Sequence, residues 1–237
     1  NPTIMQATPA AWQMLLDSGW MGKENLKVLC GGEALQPELA DQLCMYNGEV
    51  WNLYGPTETT VWSTIIKVEK KSDVIPIGHP IANTRVYILD ENMKPLPAGF
   101  TGHLYIGGDG LARGYYNQPE LTKESFVELT IARDETERLY KTGDLARYTI
   151  NGAIEFIGRR DSQIKLHGYR IELSEIEAVL NKHPVVSKAV VLLRDDMTGG
   201  SGLAAYIQSI ENHDNIVPEL RAYLGELLPH YMQPTAY

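Results

Sequence analysis

Cysteine is scarce in this sequence, with two residues among 237. Cys30 and Cys44 form no Cys-x-x-Cys pair and have apolar neighbours, so we predict two buried, reduced thiols rather than a disulfide or a metal pair. The six histidines are scattered and include no His-Glu-x-x-His motif. The sequence therefore gives no support for a zinc site.

Long apolar runs are also missing. No segment approaches the roughly 18 uncharged residues that a membrane-spanning helix needs. Residues 1–20 contain two prolines and an aspartate, and they lack the basic start and apolar block of a secretory signal. We therefore expect a cytoplasmic protein with no membrane partner.

Positive charge is in the minority, because 21 Lys and Arg stand against 30 Asp and Glu, for a formal net charge of −9. Binding to a nucleic-acid backbone needs clustered Lys and Arg, so nucleic acid is not an expected partner. With 43% hydrophobic and 22% charged residues, the composition is typical of a globular protein that can bury a core.

The first part of the chain predicts alternating helices and strands. Thr8 and Pro9 have the pattern of an N-cap and a first helical residue. Residues 26–29 predict a buried strand, 37–46 a helix and 50–53 a second strand. Strand, helix and strand in this order are typical of a parallel α/β layer, in which ligands bind beyond the carboxyl ends of the strands.

The middle of the chain predicts a β-rich region. Short strands separated by turn residues are predicted at 85–89, 103–106, 139–141, 145–148 and 154–157. We assign residues 1–160 to one large domain that joins the α/β layer to this region.

The end of the chain predicts a small α+β domain over residues 161–237. A strand is predicted at 163–166, followed by a helix that a capping box of Ser174 and Glu177 opens. Two further strands and a last helix follow.

The turn after the second strand holds the first candidate site, Asn52-Leu53-Tyr54-Gly55-Pro56-Thr57-Glu58. A Gly-Pro turn can present backbone amides and the Thr57 hydroxyl to a phosphate. Glu58 offers the hard oxygen that Mg²⁺ prefers, and Tyr54 offers a flat face for a base. Taken alone, a turn with a helix-capping Thr and Glu is the simpler interpretation.

A second candidate is Tyr140-Lys141-Thr142-Gly143-Asp144, where an aspartate follows a predicted tight turn. Its carboxylate can accept hydrogen bonds from the vicinal hydroxyls of a ribose. In isolation, an ordinary Asp-containing turn explains the same residues.

Two further segments are ambiguous by themselves. The glycine-rich run at 107–114 suggests a dinucleotide fingerprint, but the third glycine would have to stand at Arg113, so that interpretation fails. Residues 158–177 combine a charged turn, a strand, a glycine loop and a helix start, and a solvated connector explains them equally simply.

Together, in this order and spacing, the motifs resemble the adenylation domains of nonribosomal peptide synthetases. These domains belong to the adenylate-forming, AMP-binding superfamily, which also includes acyl-CoA ligases. The resemblance extends over the whole chain and rests on Gly31-Gly32-Glu33 and on residues 52–58, 102–115, 140–144, 158–165 and 228–234.

The resemblance implies an enzyme that joins an amino acid to ATP, releasing pyrophosphate, and then transfers the aminoacyl group to a carrier protein. Its implied cofactors are ATP, Mg²⁺ and the phosphopantetheine of that carrier. The implied partners are a small amino acid, a peptidyl carrier protein domain and a neighbouring condensation domain. The implied fold is the C-terminal part of the large domain followed by the small α+β domain.

The resemblance also implies roles for single residues. Contacts to the nucleotide fall to Gly31, Gly32, Glu33, Asn52, Tyr54, Asp144, Arg159 and Arg170. Among the catalytic positions, Thr57 would touch phosphate, Glu58 would hold Mg²⁺, and Lys165 would face the nucleotide in one pose. Asp161 matches the hinge about which the small domain swings.

The positions that match the family's side-chain pocket predict the substrate. They are Gln6, Leu29, Gly31, Leu53, Val61 and Trp62. A tryptophan and a glutamine would fill the volume that a large side chain needs, so we expect glycine. Alanine stays an alternative, because one methyl is worth only about 1–3 kcal/mol of discrimination, and so does a Trp62 that merely packs the core.

The sequence also departs from the family pattern. It has no Ser/Thr/Gly-rich loop ending in Lys-Gly, no upstream aspartate for the substrate ammonium and no lysine motif after Tyr237. We therefore expect an internal segment of an adenylation domain that is inactive by itself. Two alternatives remain: an acyl-CoA or aryl-acid ligase, and a non-catalytic module that docks a carrier protein.

Overall fold

The structure is a computed structural model that describes residues 2–132, 135–197, 200–210 and 216–237. The strands are β1 (Ile4–Ala7), β2 (Lys27–Gly31), β3 (Glu49–Tyr54), β4 (Thr64–Lys67), β5 (His79–Pro80), β6 (Thr84–Leu89), β7 (Gly102–Gly108), β8 (Phe126–Ala132), β9 (Glu135–Tyr148), β10 (Ile154–Arg159), β11 (Gln163–Leu166), β12 (Tyr169–Glu172), β13 (Val186–Met197) and β14 (Gly200–Ser209). The helices are α1 (Pro9–Asp17), α2 (Pro37–Tyr46), α3 (Pro119–Ser125), α4 (Leu173–Leu180) and α5 (Ile216–Leu227), with short 3-10 turns at Thr57–Thr59 and His230–Met232.

The chain divides into two compact units, Asn1–Arg160 and Asp161–Tyr237. Each unit buries its own apolar side chains, three clusters in the first and one in the second. None of the helices in the described ranges is long and apolar enough to traverse a bilayer.

The predicted parallel α/β layer forms the start of the first unit. Strands β1, β2 and β3 lie side by side in parallel, and helix α1 begins as predicted, because the Thr8 side chain accepts a hydrogen bond from the amide of Ala11 at 3.3 Å. Strands β4 and β5, which the sequence did not indicate, extend the sheet in antiparallel fashion. Both cysteines are buried and free, as predicted, and burial raises the pKa of the Cys30 thiol to about 12.

The β-rich region is an antiparallel sheet in the order β10-β9-β7-β6, with β8 on the other edge of β9. The two short strands predicted at 139–141 and 145–148 are one strand of 14 residues, so the prediction of a tight turn between them was wrong. Gly143 has a φ of +78°, and the pairing with β7 shifts register nearby. Thr142, Gly143 and Asp144, which suggest a turn in the sequence, therefore form a bulge inside strand β9.

The second unit pairs two hairpins, β11–β12 and β13–β14, with helices α4 and α5. The predicted capping box was wrong. Helix α4 begins at Leu173, and its N-cap Glu172 makes no side-chain capping bond. Glu177 instead accepts a hydrogen bond from the amide of Val191 at 2.9 Å, so a contact with strand β13 takes the carboxylate that the local motif would use.

Candidate functional site

Four of the predicted pocket residues lie on one face of the parallel sheet. Gln6 is paired with Leu29, and Gly31 is paired with Leu53. Side chains two residues apart on a strand share a face, so Leu29 and Gly31 bring the two pairs together. The sheet thus assembles one surface from three separate segments of sequence.

Trp62 lies directly over Gly31 on this face. A Cβ built on Gly31 would come within 2.5 Å of Cη2 and 2.6 Å of Cζ3 of the indole ring. Only hydrogen fits at position 31, because real Cβ contacts are never that short. The structure therefore brings Trp62 to the predicted pocket, whereas neighbouring Val61 is 58% exposed.

The Gly-Pro turn leads into a single turn of 3-10 helix at Thr57–Thr59. Thr57 is exposed, and the turn has no side-chain capping bond, so the simpler interpretation of a helix-capping threonine does not describe it. Glu58 is buried and accepts a 2.6 Å hydrogen bond from the hydroxyl of Tyr115. The two predicted catalytic residues of this turn thus point into different surroundings.

Asp144 is the centre of a buried polar cluster. One carboxylate oxygen accepts a hydrogen bond from the Tyr54 hydroxyl, and the other accepts one from Nη1 of Arg159 at 2.5 Å. Arg159 lies beside Asp144 because β10 is paired with β9 at that register. Three of the predicted nucleotide residues, from three distant segments, therefore meet at one carboxylate.

The Tyr54 ring belongs to an apolar cluster that includes Ile77 and Val86. The pKa of the Tyr54 phenol is raised well above its ordinary value, mainly by burial and secondly by the negative charge of the Asp144 carboxylate. The phenol therefore stays protonated and donates to Asp144 over the whole physiological range. Tyr54 is 6% exposed and Asp144 is 3% exposed, and the stacking of Tyr54 on a base stays a prediction.

Asn52 lies on the opposite face of the sheet from Leu53. Its side-chain amide donates a 2.8 Å hydrogen bond to the carbonyl of Pro76 and is buried. The predicted Gly31-Gly32-Glu33 turn follows β2, and Gly32 takes the left-handed region with a φ of +95°. Glycine permits this reversal of the chain without a steric penalty.

The remaining predicted site residues belong to the second unit. Lys165 and Arg170 are paired across the β11–β12 hairpin, and so share one side of it. His167 and Gly168 form its turn with φ values of +52° and +81°. At the start of the unit, the Asp161 carboxylate accepts a 3.2 Å hydrogen bond from the amide of Gln163.

Comparison with known proteins supports the resemblance. A family model described as "AMP-binding enzyme" matches residues 1–116. The chain is 48% identical, over 235 residues, to a dimodular nonribosomal peptide synthase of Bacillus subtilis (strain 168). Residues 1–116 therefore resemble the AMP-binding enzymes. The match covers 99% of this chain but 10% of the B. subtilis synthase.

Solved structures agree with this similarity. A holo four-domain nonribosomal peptide synthetase bound to AMP and glycine is 44% identical, with a TM-score of 0.64, over 99% of this chain and 17% of that one. A nonribosomal peptide synthetase protein containing adenylation and PCP domains is 31% identical, with a TM-score of 0.84, over 99% and 47%. The adenylate-forming fold predicted from the sequence is therefore confirmed.

Sequence reasoning gave no role to two residues that hold the site together. Tyr115 donates to Glu58. The Thr142 hydroxyl donates to the carbonyl of Leu104 at 2.8 Å and accepts from the amide of Asp144 at 3.0 Å. Both lie inside the motifs on which the resemblance to adenylation domains rests, and that position was the available signal.

Proposed function

We propose that this chain supplies part of the nucleotide site and the side-chain pocket of an adenylation domain that activates a small amino acid, glycine first. In the reaction, the amino-acid carboxylate attacks the α-phosphate of ATP, forming aminoacyl-AMP and releasing pyrophosphate. The observation that carries the proposal is the contact of the Trp62 ring with the Gly31 backbone.

The limit on substrate size follows from that contact. The indole occupies the space above Gly31, on the face that also carries Leu29 and Leu53. A substrate side chain directed toward this face meets the ring, and a close-packed site cannot absorb the extra volume without strain. Glycine, which has no side chain, fits best. The glycine bound to the four-domain synthetase similar to this chain supports the same choice.

The Asp144 cluster suits the ribose of the nucleotide. A carboxylate is an acceptor for two vicinal hydroxyls, and the guanidinium of Arg159 orients it from one side. We assign Tyr54 to the same task, as the donor that fixes the other carboxylate oxygen. Asn52 and the Gly31-Gly32-Glu33 turn keep their proposed place beside the adenine.

The chemistry of the turn fits phosphate and Mg²⁺. Thr57 offers an exposed hydroxyl, and the carboxylate of Glu58 is the oxygen ligand that Mg²⁺ prefers. Bound Mg²⁺ would neutralise phosphate charge. Lys165 and Arg170 of the second unit are the proposed partners of the nucleotide and of the thiol-capture pose, and Asp161 is the proposed hinge.

We further propose that the phosphopantetheine thiol of a carrier protein attacks the aminoacyl-AMP, forming a thioester and releasing AMP. A condensation domain is the proposed neighbour in the full-length protein. The similarity to a protein containing adenylation and PCP domains supports a carrier as partner. Measuring which acceptor the full-length protein loads separates this from an acyl-CoA ligase, which would use a soluble pantetheine thiol. Measuring which carboxylic acid it activates separates it from an aryl-acid ligase.

Amino-acid-dependent exchange of pyrophosphate into ATP tests the proposal. The full-length protein is assayed with glycine, alanine, valine and phenylalanine at equal concentrations. We expect exchange with glycine above alanine, and little with the two larger amino acids. Strong exchange with phenylalanine contradicts the proposed pocket, and exchange with no amino acid contradicts adenylation.

Titration with ATP separates the enzyme from a non-catalytic docking module. The four tryptophans of the 237-residue sequence all lie in the first unit, at positions 12, 20, 51 and 62, so ATP bound to that unit should alter their fluorescence. An adenylation domain should give a saturable change as ATP is added to the full-length protein. A docking module would give none.

A further inference from the structure

The loop that carries Trp62 has an unusual backbone. Thr60 and Val61 both lie in the left-handed region, with φ values of +60° and +67°. That region is unfavourable for residues with a Cβ, and most of all for β-branched ones. Two such residues in succession keep this conformation only where the surroundings impose it.

Contacts within the loop fix its two ends. The hydroxyls of Thr59 and Ser63 lie 2.6 Å apart, and the amide of Ser63 donates to the carbonyl of Tyr54 at 2.8 Å. Gly55 lets the two arms approach, since a Cβ there would lie 2.4 Å from the carbonyl oxygen of Val61. These contacts close the loop, but they do not hold its outer side.

The outer side rests on the glycine-rich segment 107–114. The Thr60 hydroxyl donates to the carbonyl of Gly110 at 2.7 Å, and the amide of Ala112 donates to the carbonyl of Glu58 at 2.8 Å. A Cβ on Gly110 would lie 2.9 Å from the carbonyl oxygen of Thr59, so glycine is needed for this close approach.

The glycine-rich segment is itself anchored. Arg138 donates to the carbonyls of Ala112 and Arg113 at 2.8 and 2.9 Å. Its guanidinium lies 4.3 Å from the centre of the Phe126 ring, a distance typical of a cation–π contact. Strand β9 therefore holds the segment against which the Trp62 loop packs.

We propose that Thr60 and Gly110 are positioning residues for Trp62, which hold its ring over Gly31 and thereby set the upper size limit of the substrate side chain. This inference rests on the proposed function, because it assumes that the face of Gly31 binds the substrate. The segment 107–114 is not a dinucleotide fingerprint. Under this proposal it contributes to substrate selectivity, because it supports the loop that carries Trp62.

The consequence is a change in selectivity rather than in nucleotide binding. Small displacements matter in a tight pocket, since one methyl group alters discrimination by about 10- to 200-fold. A loop freed on its outer side lets the Trp62 ring move away from Gly31. Alanine would then be accepted better relative to glycine, while the KM for ATP would stay the same.

The test compares four variants of the full-length protein. Thr60→Val removes the hydroxyl and keeps the shape, Thr60→Ser keeps the hydroxyl, and Gly110→Ala pushes the loop away from the segment that supports it. Thr149→Val is the matched control, because its hydroxyl also donates to a backbone carbonyl, that of Ala153 at 3.1 Å, in a turn of the same unit. The kcat/KM values for glycine and for alanine are measured by pyrophosphate exchange, together with the KM for ATP and the thermal midpoint.

We expect Thr60→Val and Gly110→Ala to lower the glycine-to-alanine ratio of kcat/KM by about 3- to 10-fold, the size of one net hydrogen bond. Thr60→Ser and Thr149→Val should keep the wild-type ratio. An unchanged ratio in folded Thr60→Val and Gly110→Ala overturns the proposal, and so does an equal change in Thr149→Val. If Thr60→Val does not fold, Gly110→Ala decides.

The wild-type assay separates the two proposals. Wild-type exchange with glycine and an unchanged ratio in the variants would remove the positioning role and leave the proposed function standing. A wild-type protein that activates neither glycine nor alanine would remove the proposed function, and the positioning role with it.

Discussion

The two faces of the parallel sheet β1–β3 differ in composition and in what covers them. Val28, Cys30 and Val50 point to the face under helices α1 and α2, where they are almost fully buried in one apolar cluster. The other face carries the four predicted pocket residues, and Gln6 on it is exposed. Alternate residues of the same strands thus serve two purposes.

Under the proposed function, one face contributes stability and the other contributes substrate selectivity. On the helix-covered face, side chains of matching shape exclude water, and each buried methylene contributes about 0.8 kcal/mol. On the pocket face, Gln6 is exposed, and the Trp62 ring limits the space over Gly31. Substitutions on the two faces should therefore give separate kinds of effect.

The largest effect is expected from Leu43→Ala, on α2 above the helix-covered face, where the side chain is fully buried. We expect a loss of about 2–5 kcal/mol in the free energy of unfolding, since a cavity remains. Tryptophan fluorescence in a denaturant titration of the 237-residue chain measures it for the first unit. An unchanged midpoint would contradict the packing described, and the amino-acid preference of the full-length protein should not change.

The next largest effect is expected at the carboxylate of Asp144, which lies outside the parallel sheet, on strand β9. Asp144→Ala should weaken ATP binding to the full-length protein by about 1.5–3 kcal/mol, the value of a hydrogen bond to a charged group. Equilibrium titration with ATP measures it. Asp90→Ala, which removes a carboxylate that accepts hydrogen bonds from the amides of Asn92 and Lys94 in its turn, is the control. ATP affinity equal to wild type in Asp144→Ala would refute the ribose assignment.

A smaller and more selective effect is expected from Trp62→Ala on the pocket face. Removing the ring opens the space over Gly31, so the ratio of kcat/KM for glycine to that for alanine should fall about 10-fold, at the low end of what one methyl group can discriminate. The thermal midpoint should change far less than in Leu43→Ala. If the ratio of kcat/KM for glycine to that for alanine stays at the wild-type value, Trp62 only packs the core, which is the alternative interpretation.

The smallest effect concerns pH. Because the pKa of Tyr54 is raised in the folded state, its contribution to stability is complete below pH 10, and it is lost as the pH rises further, since the unfolded chain ionises first. Tyr54→Phe should therefore show a shallower fall in unfolding free energy above pH 10. Tryptophan fluorescence at pH 9–11 measures it, and identical alkaline slopes would contradict the burial of this phenol.

Local signals predicted the elements that local chemistry determines. The Thr8 cap and the prolines that begin α1 and α2 lie next to the backbone they affect, so the bounds of both helices could be predicted closely. The bulge at Gly143 could not, because a turn and a bulge need the same left-handed glycine, and only the pairing with β7 distinguishes them. Strand β8 and helix α3 were missed altogether.

For the candidate site, too, single residues could be predicted from the sequence, but the contacts between them could not. The resemblance pointed to Asp144, Tyr54 and Arg159 one by one. Their meeting at one carboxylate depends on the pairing of β9 with β10 and on a side-chain hydrogen bond between residues 90 positions apart. The contact of Trp62 with Gly31 is equally non-local. Tyr115 was overlooked as a partner of Glu58, because nothing near it in the sequence indicates that its hydroxyl reaches this residue.

A crystal structure of the full-length protein with a non-hydrolysable glycyl-adenylate analogue tests the central claim most directly. We predict that the glycyl group lies on the sheet face of Leu29, Gly31 and Leu53, against the Trp62 ring, with the ribose hydroxyls bonded to Asp144. A glycyl group on the helix-covered side of the sheet, or away from Trp62, would contradict the account.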